Sequence, residues 1–333
     1  MKPLRTAILG CGKIARKHAA VLASLKEIEF TGFCDQVLEN ALSFRDSFGP
    51  GEVFTDHEQM FRELNLDLVY ICLPPFAHTN EVELACKHGV HFLIEKPIAL
   101  SMDLANQMAS HVRTSGVKCQ VGVMYRHGEA VKWLKEYMHN SLTTGAGFMS
   151  ARYSCNSLHR DWWRDRNKSG GQLVEQVIHL LDMTRFWLGE PCLVYSIQRN
   201  LFHTRVEDYT GEDTSATTIC FENGGIAVIA ATNGAIPNRW DYDWQVVLPE
   251  ITAEFKDANH AVVHNTRPDS GSTLTVASEK DLLLAQAVDL VSAIREDRDP
   301  LVPIEEGVRS LNLALSAAFS AQQGVPIHLE PPG

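Results

Sequence analysis

A chain of 333 residues, 45% of them hydrophobic, is longer than one typical core needs and excludes a disordered or low-complexity protein. Its net charge of −11 argues against nucleic acid or an anionic membrane surface as the main partner. The eight cysteines stand singly, with no Cys-x-x-Cys pair, which fits buried reduced thiols and gives no reason to expect a bound metal. The N-terminus lacks an apolar leader and no run is long enough to span a bilayer, so a cytoplasmic location is expected.

The first half alternates strands and helices. Ala7-Ile8-Leu9 is a short apolar strand, Gly10-Cys11-Gly12-Lys13-Ile14-Ala15 a glycine turn, and Ile14 to about Leu25 a helix. Gly10 permits the tight turn, Gly12 lets backbone approach a pyrophosphate, and Ala15 allows close helix–strand packing, so the helix N-terminus faces phosphates. Glu29–Cys34 is the second strand. Asp35 ends it, about 25 positions beyond Gly10, near the place of a ribose-binding acid. Asp35 reads either as that acid or as a turn residue and helix cap. Gln36 follows rather than Arg or Lys, which favours NAD over NADP and leaves NADP open.

Leu68–Leu73 is apolar throughout, as a strand buried on both faces should be. Pro74-Pro75 stops it, Thr79 is placed as cap of the helix running to about His88, and His78 is either a loop histidine or a cofactor contact. The next strand reads Val-His-Phe-Leu-Ile to Glu95-Lys96-Pro97. Pro97 cannot donate to a ladder, so Lys96 emerges at a strand's carboxyl end, where open α/β sheets bind ligands. Ser101 caps another helix, and Val117–Val123 closes the half. Repeated βαβ units predict an α/β fold, with a doubly wound parallel sheet over residues 1–123.

Residues 124–333 read as an α+β domain with a large, mainly antiparallel open sheet. Gly128–Asn140 is a helix and Gly147–Cys155 a strand. A charged loop, His159 to Gly171, carries Trp162, Trp163 and Arg164: an indole there can cover a nicotinamide or sugar face, and Arg164 can meet a phosphate. On the helix from Gln172 to about Leu188, Glu175 and His179 are four apart and share a face. A carboxylate one turn before a histidine can fix its tautomer, and Asp182 offers the same from the other side. Strands follow at Cys192–Asn200, Thr214–Glu222, Ile226–Thr232, Trp244–Leu248, Ile251–Phe255 and Ala261–His264, with Asn223-Gly224-Gly225 as a hairpin turn. Several are apolar on both faces, which suggests that a second subunit of a homodimer or homotetramer covers the open face. Helices at Lys280–Arg298 and Glu305–Gln323 end the chain.

The glycine turn, Pro74-Pro75 with His78, Glu95-Lys96-Pro97, and Gly170-Gly171 leading to His179-Leu180-Leu181-Asp182 together resemble the glucose–fructose oxidoreductase/inositol dehydrogenase (Gfo/Idh/MocA) family over nearly the whole chain. The resemblance implies a Rossmann domain, a substrate domain on an open sheet, a nicotinamide cofactor and a sugar- or polyol-like small-molecule substrate. It makes Lys96 the catalytic lysine and His179 the histidine, with Glu175 where the family often has Asp. It also places Gly10, Gly12, Lys13, Ile14, Asp35, Leu73, Pro74, His78, Glu95 and Lys96 beside the cofactor. Trp163-Arg164 resembles a cofactor-contacting pair of some members. Three activities are compatible with this: hydride transfer to NAD(P) from a secondary alcohol, NAD-dependent redox-neutral cleavage of a glycoside, or non-enzymatic sensing of the cofactor.

Overall fold

The computed structural model describes residues 2–140, 147–267 and 271–330. The chain forms two compact units, Met1–Val123 with Asp281–Val308, and Met124–Lys280 with Arg309–Gly333.

The first unit holds a six-stranded parallel sheet: β1 Leu4–Leu9, β2 Ile28–Cys34, β3 Glu52–Phe54, β4 Leu68–Ile71, β5 His91–Ile94 and β6 Cys119–Val121. Their order is β3-β2-β1-β4-β5-β6. The order reverses between β1 and β4, and the crevice outside the carboxyl ends of those two strands is where such sheets bind ligands. Every residue of β4 is buried, as its unbroken apolar run requires. The helices are α1 Lys13–Leu22, α2 Leu38–Phe48, α3 His57–Glu63, α4 Glu81–Lys87 and α5 Met102–Ser115. α1 stops at Leu22 rather than Leu25, because Ser24 Oγ takes the Val21 carbonyl at 2.6 Å. Thr79 does not cap α4. Asn80 holds that position, and the Glu81 carboxylate reaches back to the Thr79 N–H at 2.8 Å.

Residues 281–308, grouped on sequence with 124–333, pack with the first unit. Of the two closing helices of the chain, Leu282–Glu296 places Ala287 and Leu290 in one core with Ile8, Ala15 and Leu22. Gln286 Nε2 donates to the Val121 carbonyl, and Gln120 Nε2 to the Gln286 carbonyl, both at 3.2 Å. The Val121 N–H meets the Val302 carbonyl at 2.9 Å.

In the second unit, helix α6 (Glu129–Asn140) leads to a nine-stranded sheet. Its strands are β7 Phe148–Ser154, β8 Pro191–Arg199, β9 Thr214–Phe221, β10 Ile226–Thr232, β11 Asp241–Val247, β12 Ile251–Asp257, β13 His260–Asn265, β14 Thr273–Val276 and β15 Ile327–His328. The order is β14-β13-β12-β11-β7-β10-β9-β8-β15. Within this sheet only the β7–β10 pair is parallel among the described strands. The Asn223-Gly224-Gly225 turn joins β9 to β10, with Gly224 at φ +85°. The charged segment after β7 is not a plain loop. It makes two single-turn helices, α7 Asp161–Arg164 and α8 Arg166–Ser169, each started by a carboxylate or fixed by its own carbonyls. The long helix after Gly171 is split. Leu173–Val177 is a π-helical turn, and α9 runs over Ile178–Leu188. α10 and α11 denote Leu282–Glu296 and Ile304–Gln323.

Burial alternates along β9 and β10, so each has one inward and one outward face. The inward face carries α9 against β7 and β10. Ile197, Ile226, Val228 and Phe148 remain exposed on the other. Among the described residues, no helix is long and apolar enough to cross a membrane, and no cluster of His, Cys, Asp and Glu is arranged to hold a metal.

Candidate functional site

The nucleotide edge lies wholly in the first unit. Gly10 sits at φ +86°, and a Cβ there would lie 2.7 Å from the Cys72 carbonyl oxygen, so the position admits only glycine. That contact sets the glycine turn at the β1/β4 crevice. A Cβ at Gly12, by contrast, would meet nothing within 4 Å, and Gly12 is the N-cap of α1 with no side-chain cap. The first amides of α1, from Lys13 and Ile14 onward, therefore open onto unfilled space, the arrangement a pyrophosphate takes.

Asp35 closes the same loop. One carboxylate oxygen accepts from the Cys11 N–H at 2.8 Å; the other accepts from the Val37 N–H at 2.9 Å and from Asn40 Nδ2 at 3.1 Å. A carboxylate offers about four acceptor directions, so three are used and one remains for a ribose hydroxyl. These three bonds are those of its turn-residue reading, and the ribose contact is a proposal that the remaining acceptor direction allows. Replacing Asp35 with Ala is expected to raise the KM for NAD about tenfold or more and to narrow any NAD/NADP preference, read from initial rates with each cofactor. A KM that stays the same for both would remove Asp35 from the nucleotide site.

Leu73 and Pro74 leave the carboxyl end of β4, and Pro75–Ala77 make one 3-10 turn. His78 is buried, its Nδ1 bonded to Glu81 at 2.6 Å, so a buried side-chain hydrogen bond fixes that turn. The neighbouring His78 and the Thr79 N–H hold the Glu81 carboxyl below its ordinary range against the opposing effect of burial.

The Glu95-Lys96 step leaves β5 beside this crevice. Glu95 is buried and bonds His18 of α1 at 2.7 Å, and its carboxyl fills the space a Cβ on Gly122 would occupy at 2.8 Å. Sequence reasoning passed over His18 and Gly122. The signal available was a histidine on the buried stripe of α1 and a glycine ending β6. Together they clamp the residue before Lys96, which is partly exposed at the strand's end. Burial keeps the thiols around this edge protonated, with Cys34 pushed up to about 12.

The second group lies wholly in the second unit. Over residues 171–185 every side chain is buried except Glu175 and His179. A nearly sealed helix thus opens at two titratable positions. Tyr125 stacks on His179, ring centroids 4.9 Å apart, and Tyr242 stacks on Tyr125 at 5.8 Å. Tyr153 lies beyond Tyr242 at 6.4 Å and takes the Trp240 N–H at 3.2 Å. The Trp240 ring meets His159 edge-on at 6.3 Å, and His159 packs on Trp163 at 4.2 Å. Trp163 Nε1 then donates to Glu175 at 2.6 Å, back on the helix one turn before His179. Aromatic rings therefore line a path from His179 round to Glu175. Gln176 Nε2 also holds His159, at 2.9 Å.

Trp163 is buried in this wall rather than lying on an open loop, and Arg164 pairs with Asp161. Asp182 does not serve His179. Its buried carboxylate takes a two-pronged bond from Arg126, at 2.8 and 2.6 Å, and one from Ser310 Oγ at 2.8 Å. A guanidinium matches both carboxylate oxygens at once, which a single imidazole nitrogen cannot do. The consequence is positional, because Arg126 fixes the short turn that sets Tyr125 against His179. Tyr125 was missed on sequence; burial pushes its phenol well above the ordinary tyrosine range.

Comparison with known proteins agrees with both halves. Residues 4–123 match the model of an oxidoreductase family's NAD-binding Rossmann fold, and residues 149–329 match the same family's C-terminal alpha/beta domain. D-glucoside 3-dehydrogenase of Escherichia coli (strain K12) is 28% identical over 67% of this chain and 68% of its own. The scyllo-inositol 2-dehydrogenase (NAD(+)) of Bacillus subtilis (strain 168) is 23% identical over 98% of this chain and 96% of its own. A levoglucosan dehydrogenase solved with NADH and L-sorbose has the same fold, with a TM-score of 0.90 at 17% identity, covering 99% of this chain and 100% of that one. With its nucleotide edge and its C-terminal sheet both matched, the chain belongs to the Gfo/Idh/MocA family of NAD-binding oxidoreductases.

Proposed function

We propose that this protein oxidises a secondary alcohol of a sugar, inositol or related polyol, with NAD as the preferred cofactor. The observation that carries the reading is the exposure of Glu175 and His179 alone on a sealed helix, in a chain that also delivers Lys96 at a nucleotide edge. The NAD preference is supported by Asp35, a carboxylate that would repel a 2′-phosphate. When bound, the nicotinamide supplies the hydride acceptor. His179 would take the proton from the hydroxyl oxygen while the carbon bearing it gives up its hydrogen as hydride, and the C–O bond becomes a carbonyl. Lys96 donates to the reacting oxygen and opposes the negative charge that builds there. Glu175 holds a negative charge one turn from His179 and favours its protonated form as the proton arrives. The relatives named above, which act on a glucoside and an inositol, support the substrate class. The exposed apolar residues on the outward sheet face support a homo-oligomer.

The test is to follow cofactor absorbance with a panel of inositols, aldoses, ketoses and glycosides, using NAD and NADP in turn. Reduction of NAD by at least one polyol is the expected result. Release of an aglycone without net reduction would replace the reading by the redox-neutral cleavage.

A further inference from the structure

Three segments that border the aromatic wall expose large apolar side chains. Leu158 follows β7, Leu201 and Phe202 follow β8, and Ile236 and Trp240 precede β11; their relative exposures run from 42% to 57%. The segments are joined to one another. Asn156 bridges to Gly234, and its Nδ2 donates to the Ala235 carbonyl at 2.8 Å. Phe202 lies across Gly234 so closely that a Cβ there would be 2.1 Å from its ring. The apolar tips are also held firmly. The buried Asp213 carboxylate accepts from the N–H groups of Leu201, Phe202 and His203 at 2.9, 2.7 and 2.9 Å. Three amides on one carboxylate make a rigid support, and what it presents outward is a leucine and a phenylalanine.

We infer that the substrate carries, beside the ring that is oxidised, an uncharged apolar group that lies against Trp240, Ile236 and Phe202. In chemical terms it is a glycoside with an aryl or alkyl aglycone. The inference rests on the polyol reading above and narrows it. A free hexose or inositol presents hydroxyls on every side and gains little from five exposed apolar residues. The ring contacts that begin at His179 continue through Tyr125, Tyr242 and Tyr153 to Trp240, so the rim residue Trp240 belongs to the same aromatic cluster as His179. Charge argues against a phosphorylated or nucleotide-linked group. Arg166 is paired with Glu212 at 3.3 Å and Arg239 with Asp241 at 2.8 Å, and Arg164 with Asp161, so these cations already have carboxylate partners. Among the described residues here, Arg160, Arg199 and Arg205 are exposed cations for which an anion could compete, Arg199 already donating to the Gln198 carbonyl at 2.7 Å.

The experiment compares kcat/KM of the NAD-loaded enzyme for methyl, 4-nitrophenyl and octyl glycosides of one sugar, with the corresponding sugar phosphate alongside. The 4-nitrophenyl and octyl glycosides are expected to exceed the methyl glycoside about tenfold or more, since burying a group of that size is worth at least that factor. In Trp240→Ala, and separately in Ile236→Ser, that ratio should fall several-fold toward one. A wild-type ratio near one, or a ratio that both variants leave unaltered, overturns the inference while the polyol reading stands. A ratio near one together with loss of the oligomer in Ile236→Ser assigns the rim to a second copy of the chain and overturns it too. Preference for the phosphate overturns it in favour of Arg160, Arg199 and Arg205. If no polyol or glycoside is turned over, the underlying reading fails, and the inference with it.

Discussion

Replacing Lys96 with alanine is expected to lower kcat by about two orders of magnitude or more, with the circular-dichroism spectrum unchanged. The loss follows from position. Lys96 follows the last residues of β5, its predecessor Glu95 is clamped by His18 and by the space at Gly122, and the ammonium is the group proposed to meet charge on the reacting oxygen. Glu95 keeps its bond to His18 at 2.7 Å in that variant, so the clamp on the preceding residue stays in place. Arginine should not rescue, since its planar fork cannot take the place of a compact ammonium. A turnover number equal to that of the unaltered enzyme in Lys96→Ala would remove the lysine from the chemistry. His179→Asn supplies the matching control in the second unit, where loss of the proton acceptor should lower kcat rather than raise the KM for cofactor.

Arg126→Met is expected to destabilise the protein by about 3–5 kcal/mol, the usual cost of breaking a buried ion pair from one side. Arg126 and Asp182 are both buried, and their two bonds are at 2.8 and 2.6 Å. Ser310 Oγ cannot neutralise the carboxylate, and Arg185 Nη1, 4.0 Å away and shared with Glu190, offsets only part of the lost charge. Urea unfolding of Arg126→Met, and of Arg126→Met with Asp182→Leu, separates the causes. The double variant removes both charges and should recover much of the loss, because apolar groups of similar size replace a buried pair at little cost. Equal stability of the single variant and the parent would show the pair to be without structural weight. The single variant should also lose activity, as Tyr125 is no longer held against His179.

The parts of the site that could be read in the sequence are those whose meaning is local. The Gly10 turn, the Pro97 stop and the Gly224 hairpin each follow from a residue's own backbone limits, and all three appear in the structure. Local chemistry also misled at Thr79, where a capping residue was available but the Glu81 side chain took the amide instead. The role given to Asp182 failed for another reason. Its partner Arg126 lies 56 positions earlier, and helical spacing sees only neighbours one turn away. The π-helical turn at Leu173–Val177 left no mark in the hydrophobic period, because those residues are buried on nearly every side. Tyr125 was invisible for a similar reason. It stands in a short turn, and only the fold brings it to a histidine far along the chain. Short edge strands such as β14 and β15 carry too few residues to show an alternation.

The return of residues 281–308 to the first unit has a consequence for biosynthesis. The nucleotide-binding half includes β1, yet α10 and the Val302 carbonyl complete its interior, and these leave the ribosome only after β7 to β14 of the second sheet. During translation the apolar surface around Ala15 and Leu22 therefore waits uncovered while roughly half of the chain is still to be synthesised. A fragment ended at Val123 inherits the same defect permanently. Grafting this nucleotide module elsewhere requires carrying its distant C-terminal helix along with it.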